Sequence, residues 1–542
     1  MENQKILIAA AWPYANGSLH LGHISSLIGA DILARYFRLS GKDVLYVSGS
    51  DCHGTPIVYE AIKQNVSPED IAEKYHKEFK ENLIQGLGFS YDCYTNTLTE
   101  NHKETVQEIF LDLYEKGLIY KKEEELPYCP SCKMFLPDRY IEGECPYCHF
   151  PSARGDQCDE CGSLINTKEL INPRCKHCGS KPEWRNSEHF YLKLSAFEED
   201  LKQWIEKSEG WRRNAKNFSL NFVEQGLKDR AITRDIDWGV PIPIEGYESK
   251  RMYVWFEAVC GYLSASKEAR SDWESFWMED PFHYYVHGKD NIPFHTIIWP
   301  SILLGRGELH LPDRIFSSEY LTLEGRQFSK SRKWAVWLPY FLENYEAETL
   351  RYYLISNGTE TADADFSWKE YQMKTNNELI ANFGNLINRT FSFISKNYSK
   401  GVFLKRDFTE KEADLDKRIR LLFEDVGLDI EQGKFKEGLK KIFSLIDAAN
   451  KYLEETSPWA KEKDDAERVL AFASHLIKNI SILINPFLPE TSEKIFDSLK
   501  MEVNSWEYFE LDETIIHKLS PLYKKIEDEQ VTKEEEALNN NK

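Results

Sequence analysis

Two short motifs in this chain contain residue types that bind nucleotide phosphates. The first reads His-Leu-Gly-His at positions 20–23, and the second reads Phe-Ser-Lys-Ser at positions 328–331. Histidines at a helix start, beside its unpaired backbone N–H groups, form an anion site. A lysine on a flexible stem can follow a phosphate as negative charge develops. Either motif alone is common on protein surfaces, but the pair in this order indicates an enzyme that activates a carboxylate with ATP.

The residues around the first motif predict a strand followed by a helix. Residues 5–11 form an apolar run typical of a buried parallel strand. A turn-rich segment then leads to Ser18, a residue that can cap a helix. His20 and His23 are three apart in the first turn and therefore share one face. Gly22 lies between them and lets a flat base approach the backbone closely.

The spacing of the cysteines gives a second chemical signal. Eight of the eleven occur in four C-x-x-C pairs, namely Cys129/Cys132, Cys145/Cys148, Cys158/Cys161 and Cys175/Cys178. Two pairs complete a tetrahedral thiolate site with no open position, so the sequence predicts one or two structural zinc ions. Disulfides and redox motifs do not normally take this form. The inner two pairs can share one ion and the outer two another, or the pairs can combine in chain order.

The alternation of strand-like and helical runs predicts an α/β fold, with a Rossmann-like doubly wound parallel sheet and a following all-α bundle. After the cysteines, Arg251–Phe256 and His283–His287 are interpreted as strands of the same sheet. The segment from Lys524 onward is rich in glutamate and predicts a solvated helix or frayed tail. The predicted segments are a first α/β half (1–115), a cysteine-containing insertion (116–230), a second α/β half (231–310), a segment with the downstream motif (311–369), a helical bundle (370–525) and an acidic tail (526–542).

Composition limits the classes of protein that fit this chain. With 542 residues, 42% of them hydrophobic, it can bury more than one core. No apolar run approaches the ~18 residues of a membrane span, and the N-terminus lacks an export signal. We therefore expect no membrane contact and a cytoplasmic location. The net charge of −21 alone disfavours nucleic acid, but binding needs a local basic surface rather than a basic protein.

The two motifs resemble the "HIGH" and "KMSKS" sequences of the class I aminoacyl-tRNA synthetases. Four further stretches, at 12–17, 47–56, 253–258 and 288–295, resemble the methionyl members of that family. The resemblance runs over nearly the whole chain. It implies that methionine and ATP form methionyl-adenylate and pyrophosphate, and that the methionyl group then passes to the 3′-terminal ribose of tRNA(Met) for initiation and elongation.

The resemblance also implies roles for individual residues. His20, His23 and Lys330 are implied to be catalytic and, together with Gly22 and Ser329, to bind ATP, which Mg²⁺ accompanies. Asp51 is implied to pair with the substrate ammonium, in a pocket whose aromatic walls suit a thioether. The implied methionine-binding residues are Ala11, Trp12, Tyr14, Asp51, Trp255, Ala258, Tyr262, Asn291, His295 and Trp299.

Contacts with tRNA are implied in the second half of the chain. Asn385 and Arg389, four apart on a helix, and Trp459 match the residues that read the CAU anticodon. Planar guanidinium and aromatic faces fit splayed single-stranded bases. Residues 311–369 are implied to contact the tRNA stem. The resemblance also favours the nested zinc grouping, with the inner cysteine pairs on one ion and the outer pairs on the other. We expect a monomer, with a separate tRNA-binding protein as an open alternative.

The chain departs from the family pattern at four positions. Trp12 and Val259 stand where many members have Leu and Pro, and Gln327 and Lys333 stand where the second motif has Lys and Gly. Several other functions share part of this pattern. Enzymes for leucine, isoleucine or valine need a larger editing insertion, and a cysteine enzyme uses zinc in its amino-acid pocket. An inactive tRNA-binding paralogue and a small adenylyltransferase are the alternatives from other classes.

Overall fold

A parallel sheet lies at the centre of the computed structural model, which describes residues 4–136, 140–155, 158, 160–161, 165, 167–330, 333–405, 407–502, 504–510, 513–517 and 521–539. Its five strands lie in the spatial order Arg314–Ser318, Phe282–Gly288, Ile6–Ala10, Val44–Ser50 and Cys93–Asn96. Because side chains alternate along a strand, Ile8 faces one apolar core and Leu7 the other. This confirms the α/β prediction and the strand predicted over residues 5–11.

Helices cover both faces of the sheet. Leu21–Leu39 packs on the face of Ile8, and Glu100–Glu115 and Gly261–Ala269 pack on the face of Leu7. The other elements of these two halves are the helices Thr55–Gln64, Pro68–Lys80, Val254–Glu257 and Trp299–Arg306 and the π-helical turns Glu81–Gly86 and Phe294–Ile298.

One predicted strand is wrong. His283–His287 lies in the central sheet, but only Arg251–Met252 of Arg251–Phe256 is extended. Arg251–Met252 pairs with Thr233–Arg234 outside that sheet, and a helix begins at Val254. A short apolar run cannot by itself distinguish a buried strand from a buried helical turn.

The cysteine-containing insertion is built on a long antiparallel ribbon, Ile119–Cys129 with Glu183–Leu192. Met134–Phe135 and Arg230–Ala231 extend this ribbon into a four-stranded sheet. A separate sheet consists of Ala153–Arg154, Ile141–Glu144 and Ile171–Cys175. The helices Glu198–Lys207 and Arg213–Glu224 follow the ribbon. Four cysteines are buried in a small apolar core within this insertion.

A small sheet and a group of helices carry the downstream motif. The sheet contains Arg326–Gln327, Leu321–Leu323 and Ala364–Phe366. The helices are Leu338–Asn344, Ala347–Ser356, Trp368–Lys374 and the π-helical segment Thr375–Gly384. The predicted bundle follows as Asn385–Asn397, Glu410–Glu431, Phe435–Thr456, Lys463–Ile484 and Pro489–Leu499, with the short strands Val402–Phe403 and Glu513–Thr514 beside it.

The acidic tail forms a helix, one of the two predicted alternatives, but one face of the helix is docked rather than solvated. Helix Asp528–Asn539 buries Val531 and Leu538, and the Glu534 carboxylate accepts hydrogen bonds from Tyr340 at 2.6 Å and Tyr345 at 3.0 Å. Only the expected full solvation is wrong, because Val531 and Leu538 are buried and Glu534 is bonded by two tyrosines. Residues 540–542 lie outside the described part. Among the described residues, no helix is both long and apolar enough to cross a membrane.

Candidate functional site

The two phosphate-binding motifs are in contact in the folded chain. Lys330 Nζ donates to Asn16 Oδ1 at 3.1 Å. The Phe328 ring stacks on the His20 ring, with centroids 4.6 Å apart and planes 7° apart. Gly22 permits this stack, because a Cβ there would lie 3.1 Å from the His20 ring. The rings of His20 and Phe328 therefore occupy the side of Gly22 toward which a Cβ would point.

A tight backbone turn carries the downstream motif. Ser329 and Trp334 exchange two backbone hydrogen bonds of 2.9 and 3.0 Å. Lys333 has a φ of +53°, a left-handed conformation that costs a residue other than glycine about 1–2 kcal/mol. This strain explains why the family pattern has glycine here. Ser331 and Arg332 lie outside the described residues.

His20 and His23 form the start of helix Leu21–Leu39. The helix N-cap is His20 rather than the predicted Ser18, and the His20 backbone N–H donates to His23 Nδ1 at 3.0 Å. Burial lowers the pKa of His23 to about 3, with a smaller effect of Lys330, and burial also lowers the pKa of His20. Both rings are therefore neutral at pH 7. His20 Nδ1 is buried without a hydrogen-bond partner among the described atoms.

Asp51 lies just after strand Val44–Ser50, where nucleotide-binding folds place their ligands. Its backbone N–H donates to Pro13 O at 2.9 Å, which joins it to the turn before the first motif. The side chain is buried, and its Oδ1 accepts the His53 backbone N–H at 3.2 Å. Burial raises the pKa of Asp51 well above its usual range, and the nearby Glu257 carboxylate raises it further. A buried carboxylate of this kind is suited to binding a cation.

One group of predicted pocket residues surrounds Tyr14. The Tyr14 ring meets the Trp255 ring edge-on at 5.8 Å, and Trp255 stacks on Phe294 at 3.8 Å. Ala258 begins the turn after helix Val254–Glu257. Ala11 is buried at the end of the first strand. Phe294 was not among the predicted pocket residues, although it lies in the family-like stretch 288–295.

A second group is centred on Tyr262, which is buried. Its hydroxyl donates to His295 Nε2 at 2.6 Å, and His295 Nδ1 donates to the Asn291 carbonyl at 2.8 Å. Asn291 therefore contributes through its backbone. Trp299 is fully buried and lies 6.5 Å from the Tyr262 ring, so it supports this group from the core.

The departure at Trp12 is accommodated by two glycines. A Cβ at either Gly49 or Gly261 would lie 2.7 Å from the indole ring, so only glycine leaves room for it at both positions. The ring lies edge-on to Tyr262 at 6.4 Å. Its indole N–H is buried and has no acceptor among the described atoms. Val259, the other pocket departure, is buried.

The eight paired cysteines form two groups of four. Each group has its sulfur atoms within 4.8 Å of one another, and the groups are Cys129, Cys132, Cys175 and Cys178, and Cys145, Cys148, Cys158 and Cys161. This is the nested grouping. Neighbouring sulfur atoms lie 3.4–3.9 Å apart, and a tetrahedral ion with bonds of about 2.3 Å requires about 3.8 Å. Either group could therefore hold a metal ion. The eleven cysteines all lie among the described residues, and none of them forms a disulfide bond.

The residues predicted to read the anticodon are neighbours in the helical bundle. Asn385 and Arg389 share helix Asn385–Asn397. The Arg389 guanidinium lies 4.3 Å over the ring of Trp459, whose side chain is 43% exposed. An exposed aromatic ring backed by a guanidinium offers a surface on which a base can stack.

Comparison with known proteins agrees with this geometry. Residues 6–391 match the family of tRNA synthetases class I (M), and residues 405–540 match the anticodon binding domain of methionyl tRNA ligase. A solved methionyl-tRNA synthetase of Mycobacterium tuberculosis, bound by methionyl-adenylate, has the same fold. Its TM-score is 0.80 at 23% sequence identity, over 96% of this chain and all of that one. The fold and the paired motifs are those of a class I tRNA synthetase.

The curated relatives are more specific. The methionine–tRNA ligase of Bacillus cereus strain 03BB102 is 49% identical over 543 residues, covering 98% of this chain and 99% of that protein. A methionine–tRNA ligase of Bacillus anthracis is 48% identical over the same coverage. The chain belongs to the methionine–tRNA ligase family, and its reaction class is ligation that forms aminoacyl-tRNA.

Proposed function

We propose that this chain activates L-methionine with ATP at the two joined motifs and transfers it to tRNA(Met). The observation that carries the proposal is the contact of Lys330 and Phe328 with the His20 turn, beside the buried carboxylate of Asp51. The methionine carboxylate attacks the α-phosphorus of ATP directly, so catalysis needs positioning and charge stabilisation rather than a general base. His20 and His23 hold the nucleotide, with Gly22 and Ser329 beside it. Mg²⁺ bound with ATP neutralises phosphate charge.

The methionine subsite combines the two aromatic groups with Asp51. The Asp51 carboxylate pairs with the substrate ammonium, and the rings around Tyr14 and Tyr262 contact the thioether. Trp12, for which Gly49 and Gly261 leave room, supports this subsite because its buried indole N–H has no acceptor among the described residues. The 3′-terminal ribose hydroxyl of tRNA then attacks the methionyl-adenylate.

The tRNA partner is recognised at the far end of the chain. Asn385, Arg389 and Trp459 read the CAU anticodon, and the exposed ring of Trp459 supports this assignment. Residues 311–369 contact the tRNA stem. The protein acts as a cytoplasmic monomer, and the two cysteine groups each hold one structural zinc ion, because four thiolates leave no position for substrate.

Amino-acid-dependent exchange of pyrophosphate into ATP tests the proposed activation step. All twenty amino acids are assayed separately, and only L-methionine is expected to support exchange. Exchange with a different amino acid overturns the assigned substrate. Absence of exchange with every amino acid overturns the proposed activity and favours an inactive tRNA-binding paralogue.

A further inference from the structure

Two buried carboxylates near the proposed methionine subsite have no lysine or arginine partner among the described residues. Asp51 is 2% exposed and Glu257 is fully buried. Among the described residues, neither carboxylate has a lysine or arginine within ion-pair distance, and the ion-pair contacts of Glu257 are to two histidines. Buried carboxylates are costly unless they are paired and hydrogen-bonded. Such an arrangement is found where a ligand completes the charge balance.

His53 connects the two carboxylates. Its ring Nδ1 donates to Glu257 Oε1 at 2.9 Å, and its backbone N–H donates to Asp51 Oδ1 at 3.2 Å. The other Glu257 oxygen accepts from His102 Nε2 at 2.7 Å, and His102 Nδ1 lies 2.9 Å from Ser264 Oγ. Glu257 is thus fixed at both oxygens, and through His53 it fixes the turn that carries Asp51.

Glu257 remains charged in this buried position. Burial raises its pKa, but the neighbouring His53 and His102 outweigh burial and lower the pKa to about 2. Glu257 also ends the short helix that carries Trp255, and Trp255 contacts Tyr14. The same side chain therefore supports both the carboxylate and the aromatic part of the subsite.

We propose that Glu257 is a positioning residue for recognition of the substrate ammonium. Acting through His53, it orients the Asp51 carboxylate and supplies a second buried negative charge at that end of the subsite. This inference rests on the proposed function, because the ammonium belongs to L-methionine. Glu257 and His53 have this role without themselves contacting methionine.

A pair of ligands separates recognition of the ammonium from support of the pocket. L-Methionine and γ-(methylthio)butanoate share the thioether and the carboxylate, but only L-methionine carries the ammonium. Their affinities are measured by titration calorimetry, with competition for the weaker ligand. Glu257→Gln is expected to weaken L-methionine about tenfold through the lost charge and to change γ-(methylthio)butanoate by less than about twofold. Equal losses for both ligands, or no loss for either, overturn the proposal.

Three further variants control this experiment. Asp51→Asn should abolish the preference for L-methionine over the analogue. Glu348 is also a buried glutamate, but its carboxylate accepts the Thr491 backbone N–H at 2.9 Å, away from the proposed subsite. Glu348→Gln should therefore leave both affinities unchanged. If Glu257→Gln does not fold, His53→Ala is used, because it removes the bridge but keeps both carboxylates. His53→Ala should weaken the binding of L-methionine and not that of the analogue. Equal losses of affinity for the two ligands overturn the proposal. Failure of the proposed function is distinct, since the unaltered chain would then show no preference for L-methionine.

Discussion

Arg351→Met removes a buried charge that joins three parts of the chain. The Arg351 side chain is fully buried, and its Nη2 lies 2.8 Å from Asp31 Oδ2, on the helix that begins with the first motif. Its Nε donates to the Phe487 carbonyl in the bundle at 2.9 Å, and Nη1 donates to the Leu87 carbonyl at 3.3 Å. One guanidinium therefore ties the bundle to the nucleotide-binding part.

The expected loss follows from the groups that remain. Breaking a buried ion pair costs about 3–5 kcal/mol, because one charge is left uncompensated. Asp31 keeps Arg35 Nε at 2.9 Å and the Ser90 N–H at 2.7 Å, so the pair itself should cost about 3 kcal/mol. The carbonyls that lose their donor add about 1 kcal/mol. We expect the free energy of unfolding to fall by about 4 kcal/mol.

Urea unfolding followed by tryptophan fluorescence measures this loss. Arg35→Met is the matched control, because Arg35 contacts the same carboxylate but is partly exposed, and it should cost about 1 kcal/mol. Asp31→Asn combined with Arg351→Met should recover part of the loss, since it removes the buried carboxylate and leaves only the partly exposed Arg35 without its partner. Equal losses for Arg351→Met and Arg35→Met, or a loss below about 1 kcal/mol for Arg351→Met, would refute the reasoning.

Changes at the loop lysine, the cysteines and the buried histidines have distinct expected results. Lys330→Ala should slow adenylate formation about 100-fold or more in rapid-quench assays and leave methionine affinity nearly unchanged; equal effects on both would remove its role. Metal analysis should find about two zinc ions per chain, and about one per chain in Cys132→Ser. Only one zinc ion per unaltered chain would contradict the proposal that each cysteine group holds an ion. Burial lowers the pKa of His283 from 6.5 to about 3 and that of His295 to about 4. The unfolded chain therefore binds more protons below pH 6.5, and urea unfolding should show a loss of about 2 kcal/mol per histidine between pH 7 and pH 5; constant stability would contradict this.

Sequence patterns predicted the elements whose signals are local. The apolar run at 5–11 is typical of a strand covered on both faces, and it forms Ile6–Ala10. The C-x-x-C pairs indicated thiolate sites because ligand spacing is a property of the chain itself. The choice between nested and sequential grouping depended on how Ile119–Cys129 and Ile171–Cys175 approach each other, and spacing alone left that open.

Features that depend on tertiary contacts were missed or wrong. Arg251–Phe256 contains residues that favour strands, but the strand Phe282–Gly288 takes the place beside Ile6–Ala10. The tail was interpreted from its charge, while its docking depends on Tyr340 and Tyr345, which lie nearly 200 positions away in sequence. Glu257 lies in the family-like stretch 253–258, but its burial between two histidines from other segments could not be predicted from its sequence neighbours.

Charging of tRNA tests the central claim most directly, because the claim joins methionine activation at one end of the chain to anticodon recognition at the other. Methionyl-tRNA formation is measured with tRNA(Met) carrying CAU and with the same transcript carrying a different anticodon. We predict rapid charging of the CAU transcript and a fall in kcat/KM of about 100-fold or more for the other, since each stacked base contributes about 1–3 kcal/mol. Equal charging of both transcripts, or no methionyl-tRNA from either, would contradict the account.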